Sequence, residues 1–189
     1  MFSPQEFLSK LNEYGGPDKT SLFMVNFYPS GTANPMQNSN LRFFCKTASI
    51  PGIEINTVDY KPQGYGHSGS LPTGINNSGI AMIFILDSYN YILRFFHQWA
   101  QRVINYNSPA SSRAEVNGKL PGEIGYLRGD NGYGMTVVVT KFNPYTSEIM
   151  YEATLHDAYP TNIGSINLTW EEQNVVSTMP VSFTYSEIS

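Results

Sequence analysis

The sequence predicts a mainly β fold of the α+β class, an antiparallel β-sandwich or β-barrel with one main packed helix and long loops. Most apolar segments alternate with polar residues, most clearly at 181–186. Such alternation is typical of strands with one buried and one polar face. A single long segment has helical spacing, and stretches rich in Gly, Pro, Asn and Ser separate the elements. These three observations favour strands packed against one main helix.

Two helices are predicted. A capping box at 3–6, with Pro at the first helical position, predicts a short N-terminal helix that ends before the Gly-Gly-Pro segment at 15–17. The main helix is predicted over about residues 88–103, with Asp87 or Ser88 as its cap. Its buried stripe should consist of Tyr91, Ile92, Phe95, Phe96, Trp99 and Val103.

Strands account for the other regular elements. They are predicted at residues 21–28, 41–48, 53–60, 80–86, 135–142, 149–159, 166–170 and 175–185. The strand at 80–86 is apolar on both faces, so we expect it to be central and covered on both sides. Pro180 cannot donate a hydrogen bond to a β ladder, so we expect it at an edge, a bulge or an unpaired position.

Two segments lack a sustained hydrophobic period. Residues 61–77 are rich in Gly, Ser and Pro, and they are predicted to form a long loop. Loops of this length are uncommon in compact domains and are often functional. Residues 105–134 are predicted to be loop with one short strand. The length of 189 residues and the absence of an internal repeat fit a single domain over residues 1–189.

The composition indicates a protein that buries much of its surface against other subunits. Charged residues make up 14% of the chain and aromatic residues another 14%, whereas an average soluble domain has about 25% charged residues. Subunit interfaces favour Tyr, Phe and Met and are depleted in Lys and Glu. A neutral, β-rich monomer with a surface of Ser, Asn and Gly is the alternative that composition leaves open.

The charge and the single cysteine exclude other classes. The formal net charge is −4, and the 11 Lys and Arg residues are never adjacent, whereas binding to phosphates requires clustered basic residues. One cysteine cannot form an intramolecular disulfide framework. The N-terminus lacks the apolar core of a signal peptide, and no stretch approaches the roughly eighteen apolar residues of a membrane span. We therefore expect synthesis in the cytoplasm.

The residues that could support catalysis or metal binding are scattered. His67, His97 and His156 lie far apart in the sequence, and none has a partner at the spacing of metal ligands. Cys45 lacks the sequence context of a cysteine hydrolase and lies among apolar residues, as a small buried side chain does. We therefore expect no catalytic residue, no metal, no cofactor and no small-molecule substrate, so the chain should not be an enzyme.

Two segments resemble a known family. The first reads FFCKTASIPG at 43–52, and the second reads YPTNIGSINLTWE at 159–171 and continues to Val181. Together they resemble the tail tube protein of T-even-type contractile-tailed bacteriophages. In that family a strand with Phe-x-Cys-Lys ends in Leu/Ile-Pro, and an aromatic-Pro-Thr-Asn-Val/Ile-Gly turn leads to Trp-Asp/Glu.

The second segment is also predicted to be a turn from its residue types alone. Pro160 fixes its own φ, and the side chains of Thr161 and Asn162 can close a turn through hydrogen bonds to the backbone. Gly164 permits a positive φ. Trp170 completes the motif.

The resemblance implies a structural virion protein of the phage tail. Its subunits would form six-membered rings with a shared inner β-barrel, and the rings would stack into a hollow tube. Contraction of the surrounding sheath would drive this tube through the cell envelope, and genomic DNA would pass through the lumen without specific binding. The implied partners are further copies of the chain, the tail sheath protein, the baseplate and the tail-terminator protein.

The resemblance also gives roles to the two predicted loops. The loop at 61–77 would be an arm that reaches a neighbouring ring, and we expect Tyr65, Gly66, His67 and Leu71 to contact that neighbour. The segment at 105–134 is longer than the family core requires, so an insertion is predicted there.

Three alternatives remain open at this point. One is a baseplate protein that initiates the tube, or the tube protein of a related contractile injection system. Another is a carbohydrate-binding β-sandwich module that uses exposed Tyr residues. An enzyme is the last alternative.

Overall fold

The computed structural model describes residues 3–13, 21–29, 44–61, 64, 66–106, 122–129, 132–170 and 175–189. Within these ranges the chain forms two helices and nine strands. In chain order they are α1 (Pro4–Glu13), β1 (Phe23–Pro29), β2 (Cys45–Ala48), β3 (Ile53–Tyr60), β4 (Gly69–Asn77), β5 (Ile80–Ile85), α2 (Tyr91–Val103), β6 (Met135–Phe142), β7 (Ile149–Ile163), β8 (Thr178–Thr184) and β9 (Glu187–Ile188). The predicted class, mainly antiparallel β with one main helix, is confirmed.

Seven strands form one antiparallel sheet, in the order β1-β6-β7-β8-β5-β2, with β9 also paired to β7. The first half of β7 pairs with β6 and its second half pairs with β8. Asp157 lies where the two halves meet. It has a φ of 53°, and the register with β6 slips by one residue there. A bulge of this kind bends a strand. Strands β1 and β2, at the two ends of the order, lie close to each other.

The core lies between this sheet and α2. Phe27, Phe84 and Phe183 of the sheet contact the aromatic side chains of the helix, with ring centroids 4.7 Å apart for Phe84–Phe96 and 5.7 Å for Trp99–Phe183. The Trp99 indole N–H donates to the backbone carbonyl of Tyr133 at 2.7 Å, so the buried ring has its polar group paired. Four residues of the predicted stripe are buried, namely Ile92, Phe95, Phe96 and Trp99.

Helix α2 begins three residues later than predicted. Asn90 occupies the cap position with a φ of 55° and makes no side-chain capping bond. The Asp87 carboxylate instead accepts a hydrogen bond from the N–H of Ile92 at 3.1 Å. Burial opposes ionisation of Asp87, but the backbone N–H groups, foremost that of Ile92, outweigh it and lower the pKa of this carboxyl. Asp87 therefore stabilises the start of the helix from outside it.

The loop predicted at 61–77 is largely wrong. Residues 69–77 form β4, which pairs with β3 in a separate two-stranded sheet. The strand predicted at 166–170 does not form, and β8 begins at Thr178. Strand β5 is central as predicted, but only one of its faces is buried, because Ala81 is exposed on the other.

The turn predicted at 159–164 is also wrong. Residues 159–163 continue β7, and the extra residue Thr161 forms a bulge opposite β8. The φ of Gly164 is not in the left-handed region. Glycine is required for another reason, because a Cβ there would lie 2.5 Å from Pro180 Cγ.

Pro180 lies in a central strand, although at a position that tolerates proline. Its carbonyl accepts the N–H of Gly164 at 2.8 Å, just beyond the end of β7. In a strand the N–H and C=O of one residue point the same way, so the missing N–H faces the place where the β7–β8 ladder ends. The missing N–H of Pro180 thus lies at the end of the β7–β8 ladder, which is the kind of unpaired position that was predicted.

Much of the segment at 105–134 lies outside the described residues, and the insertion stays a prediction. Its described part begins beside α2, where Ile104 and Ile124 form an antiparallel bridge. No helix in the described ranges has the length and apolar character needed to cross a membrane.

Candidate assembly surfaces

Strands β3 and β4 form a two-stranded hairpin, here called the arm (Ile53–Tyr60 with Gly69–Asn77). All eight residues of β3 and all but Asn77 of β4 are exposed. The short connections at 49–52 and 78–79 join the arm to β2 and β5, which pair with each other. The arm is thus an extension of the β2–β5 ladder away from the sheet.

The register of the arm places its apolar residues in two clusters. Near the base, Ile55 lies directly opposite Ile75, and Ile53 is on the same face. Nearer the tip and on the other face, Val58 lies opposite Leu71. Cross-strand polar pairs lie beside both clusters. Glu54 accepts from Asn76 at 3.3 Å, and Asp59 accepts from Ser70 at 2.9 Å.

The four residues predicted to contact a neighbour fall in or near the arm. Leu71 lies on β4, within the cluster nearer the tip. Gly66, with a φ of 92°, and His67 lie between the two strands and are exposed. Tyr65 is outside the described residues. The structure therefore brings Gly66, His67 and Leu71 to one projecting element, and their contact with a neighbour stays a prediction.

A second exposed apolar surface lies between β7 and β8. Residues 165–170 and 175–178, together with Pro180, line an open cavity of about 680 Å³, here called the groove. Its lining includes Leu168, Trp170, Val175 and Val176, all of them exposed, and the Trp170 side chain is 100% exposed. None of the described residues that line the groove is charged. Sequence reasoning selected Trp170 for its motif, and missed the groove because it predicted strands in both segments.

The candidate catalytic groups remain apart. His97 Nδ1 lies 2.9 Å from the Tyr106 hydroxyl and His156 Nε2 lies 3.1 Å from the Ser189 hydroxyl, so neither faces another histidine. Burial raises the pKa of the Cys45 thiol to about 12, which keeps it protonated and unreactive at neutral pH. Among the described residues, no three of the His, Cys, Asp and Glu side chains form a group that could hold a metal ion.

One ion pair lies at the bend of β7. The Arg128 guanidinium makes several hydrogen bonds to the Asp157 carboxylate, with Nε 2.9 Å from Oδ2 and 3.1 Å from Oδ1. Hydrogen bonding to Arg128 lowers the pKa of Asp157. The pair ties the segment at 122–129 to the bulge.

A family model decides the classification. The model of the phage tail tube protein family matches residues 18–188. The chain belongs to this family. It is a structural component of the phage tail, as its sequence motifs indicated, and its place is in the virion. The arm and the groove are accordingly surfaces of a tail tube protein.

Solved structures share the fold of this tail tube protein. A chain of the anti-feeding prophage baseplate, determined with six-fold symmetry, is 14% identical, with a TM-score of 0.59 over 92% of this chain and 94% of that chain. A chain of the sheath/tube terminator of PVC, an extracellular contractile injection system, is 13% identical, with a TM-score of 0.58 over 92% and 95%. A chain of the PVC sheath-tube complex is 10% identical, with a TM-score of 0.54 over 100% and 97%. No curated protein sequence matches the chain.

Proposed function

We propose that the chain forms six-membered rings that stack into the hollow tube of a contractile tail. The observation that carries this proposal is the arm, a projecting hairpin whose apolar side chains have no cover from the described residues of its own subunit. The similar chains come from contractile injection systems, one of them determined with six-fold symmetry, and this supports the ring and the contractile tail.

The physical argument begins with the instability of an isolated hairpin. Two strands without a packed face are at best marginally stable in water. Ile53, Ile55 and Ile75 are each more than half exposed in the subunit, and covering such a side chain gains about 1.5–3 kcal/mol. A neighbouring subunit that packs against the arm would supply this stabilisation, so the arm is best explained as an assembly element.

The open edges of the sheet give a second reason for a ring. Strands β1 and β2 end the strand order and lie close to each other, and among the described strands each has a ladder partner on one side only. Free edges invite uncontrolled pairing with other chains. Joining the edges of six subunits into a continuous barrel removes them. The shared inner barrel therefore follows from the same requirement that closes a β-barrel in one chain.

The tube would act passively. The net charge of −4 and the scattered basic residues suit a channel through which DNA slides without specific binding. Sheath contraction would supply the work, and the sheath, baseplate and tail-terminator proteins would be the partners along the tube. No catalysis is required of this subunit, and the protonated Cys45 suits a non-enzymatic role.

A tube initiator in the baseplate is the second candidate, favoured by the similar chain from a baseplate. Copy number separates the two roles, because a tube contains many rings and an initiator one. Quantitative mass spectrometry of purified particles would measure the ratio of this chain to the sheath protein. A ratio near one supports the tube, and a far smaller ratio supports the initiator.

The proposal is tested by assembly of the purified chain. We expect negative-stain electron microscopy to show rings and tubes with a central hole, and sedimentation velocity to show species that grow with concentration. A chain that stays monomeric at every concentration would overturn the proposal.

A further inference from the structure

The base of the arm lies closer to the rest of the subunit on its β4 side than on its β3 side. The two strands of the arm contact each other extensively, but neither packs extensively against another described element. The connection at 49–52 ends at Gly52, where a Cβ would meet nothing within 4 Å. The connection at 78–79 passes against β8, because a Cβ at Gly79 would lie 2.9 Å from the Phe183 carbonyl oxygen.

Asn77 is the residue of the arm that bonds to the main sheet. It is the last residue of β4, and it alone among the residues of β3 and β4 is not exposed. Its side-chain amide donates to the backbone carbonyl of Ser186 at 2.8 Å, a normal length for such a bond. The N–H of Ser186 donates in turn to the His156 carbonyl of β7 at 3.0 Å. The backbone of Ser186 therefore joins the arm to β7.

Residues 186–189, here called the strap, follow β8 and lie along β7. Strand β9 of the strap pairs with β7 just before the bulge at Asp157, and Ile188 packs against the core. Ser189 and Thr154 exchange two backbone hydrogen bonds, of 2.8 and 2.9 Å. The strap is thus attached to β7 along its length, and its first residue is the one that meets the arm.

We propose that the strap fixes the direction in which the arm leaves the subunit, and that Asn77 is the positioning residue through which it acts. While the strap is paired with β7, the Ser186 carbonyl is held where the Asn77 amide can donate to it. Release of the strap removes this anchor and frees the arm. The direction of the arm is a property of the single subunit, whereas its use in assembly rests on the proposed function. An element held in its bound direction loses less conformational entropy on binding.

Spin labels measure the direction of the arm. Cys45 is the one cysteine of the chain, so a Cys45→Ala background takes labels only at Ser68→Cys, between the arm strands, and at Gln98→Cys, on the exposed side of α2. Pulsed electron paramagnetic resonance gives the distribution of distances between the labels, at a concentration where sedimentation shows a monomer. We expect a narrow distribution in this background. Asn77→Ala should widen it at least about twofold, as in a segment with the mobility of a loop.

Asn56→Ala is the matched control for Asn77→Ala. It removes the same side-chain amide from an exposed position within the arm, so the distribution of distances should stay narrow. Both variants should keep the unfolding temperature of the background, since neither removes buried apolar area. A distribution as narrow in Asn77→Ala as in Asn56→Ala would overturn the inference.

Removal of residues 187–189 tests whether the strap carries the effect. These residues attach Ser186 to β7, so their removal should widen the distribution as Asn77→Ala does. Because both changes break the same link, their combination should widen it no further. If circular dichroism shows that the shortened chain is unfolded, Ile188→Asn in the full chain weakens the same attachment and is measured in the same way. A distribution that stays narrow, or widening that adds to that of Asn77→Ala, would reject the strap as the anchor.

Assembly separates this inference from the proposed function. We expect Asn77→Ala to raise the concentration at which tubes form by about fivefold, the equilibrium effect of one net hydrogen bond. Normal assembly of Asn77→Ala, despite a widened distribution, would reject the role of the strap in assembly and leave the proposed function intact. Absence of tubes from the wild-type chain would reject the proposed function, and the spin-label distances would still decide whether the strap directs the arm.

Discussion

At the scale of single residues, Gly164 and Pro180 determine how β7 ends against β8. The Gly164 N–H donates to the Pro180 carbonyl at 2.8 Å. The proline ring lies so close that a Cβ on residue 164 would meet Cγ at 2.5 Å and the carbonyl oxygen at 3.0 Å. Only a residue without a side chain allows this approach. The pair therefore fixes the point at which the chain leaves the sheet to form the groove.

We expect Gly164→Ala to lower the free energy of unfolding by about 1–3 kcal/mol, as overpacking of a tight contact does. Urea unfolding followed by circular dichroism would measure the change. Gly74→Ala is the control, because a Cβ at Gly74 would meet nothing within 4 Å. Pro180→Ala should restore part of the loss in the double variant, since it removes the proline Cγ. Wild-type stability in Gly164→Ala would contradict this packing.

At the scale of elements, the arm combines a sequence of loop character with the conformation of a strand. Four of the six residues from Gly69 to Gly74 are Gly, Ser or Pro, and these residues are poor strand formers. Pairing with β3 nevertheless extends them, with Thr73 as a bulge whose hydroxyl donates to the Asn56 carbonyl at 3.1 Å. The Ile55–Ile75 pair is the main apolar contact near its base.

The variant Ile55→Thr with Ile75→Thr should prevent tube formation and leave the subunit folded. Threonine keeps the β-branched shape that strands favour, and exposed substitutions usually change stability by less than about 0.5 kcal/mol. Electron microscopy would measure assembly, and thermal unfolding would measure stability. Glu54→Thr with Asn76→Thr, at the neighbouring polar pair, is the matched control. Normal tubes from the isoleucine variant would show that this face of the arm is dispensable for assembly.

The elements that the sequence predicted correctly are those whose pattern is local. Strands β3 and β6 have their predicted bounds. The alternation of β3 and the β-branched residues of β6 each favour the same extended conformation that pairing with a neighbouring strand requires. Helix α2 was found from its aromatic stripe. Strand β4 was missed because only pairing with β3 extends it, and the turn at 159–164 was wrong because Pro, Thr, Asn and Gly also suit a bulged strand. The groove could not be predicted, since it depends on where β7 and β8 stop.

At the scale of the whole molecule, scarcity of charge accompanies exposed apolar surface. Charged residues form 14% of the chain, and the described residues that line the groove include none. Assembly through such surfaces is driven by removal of apolar area from water, with little contribution from ion pairs. Salts should therefore affect tube assembly mainly by changing the strength of apolar burial, and less by screening interactions between charges.

We expect tubes to persist when NaCl is raised from about 50 mM to about 500 mM, although the Debye length then falls well below 10 Å. Ammonium sulfate should lower the concentration at which tubes form, because sulfate strengthens apolar burial. Light scattering would follow both titrations. Dissolution of the tubes by NaCl would show that ion pairs hold the rings together.

The position of β8 between β7 and β5 also bears on how the subunit folds. The pair Ile80–Phe183 joins residues about a hundred positions apart in the chain, and such long-range pairing makes folding slow. Until β8 docks, β5 has a bare edge and lacks the strand that connects it to β7. The subunit must therefore complete this pairing before its main sheet is whole, so in the proposed assembly folding comes before ring formation.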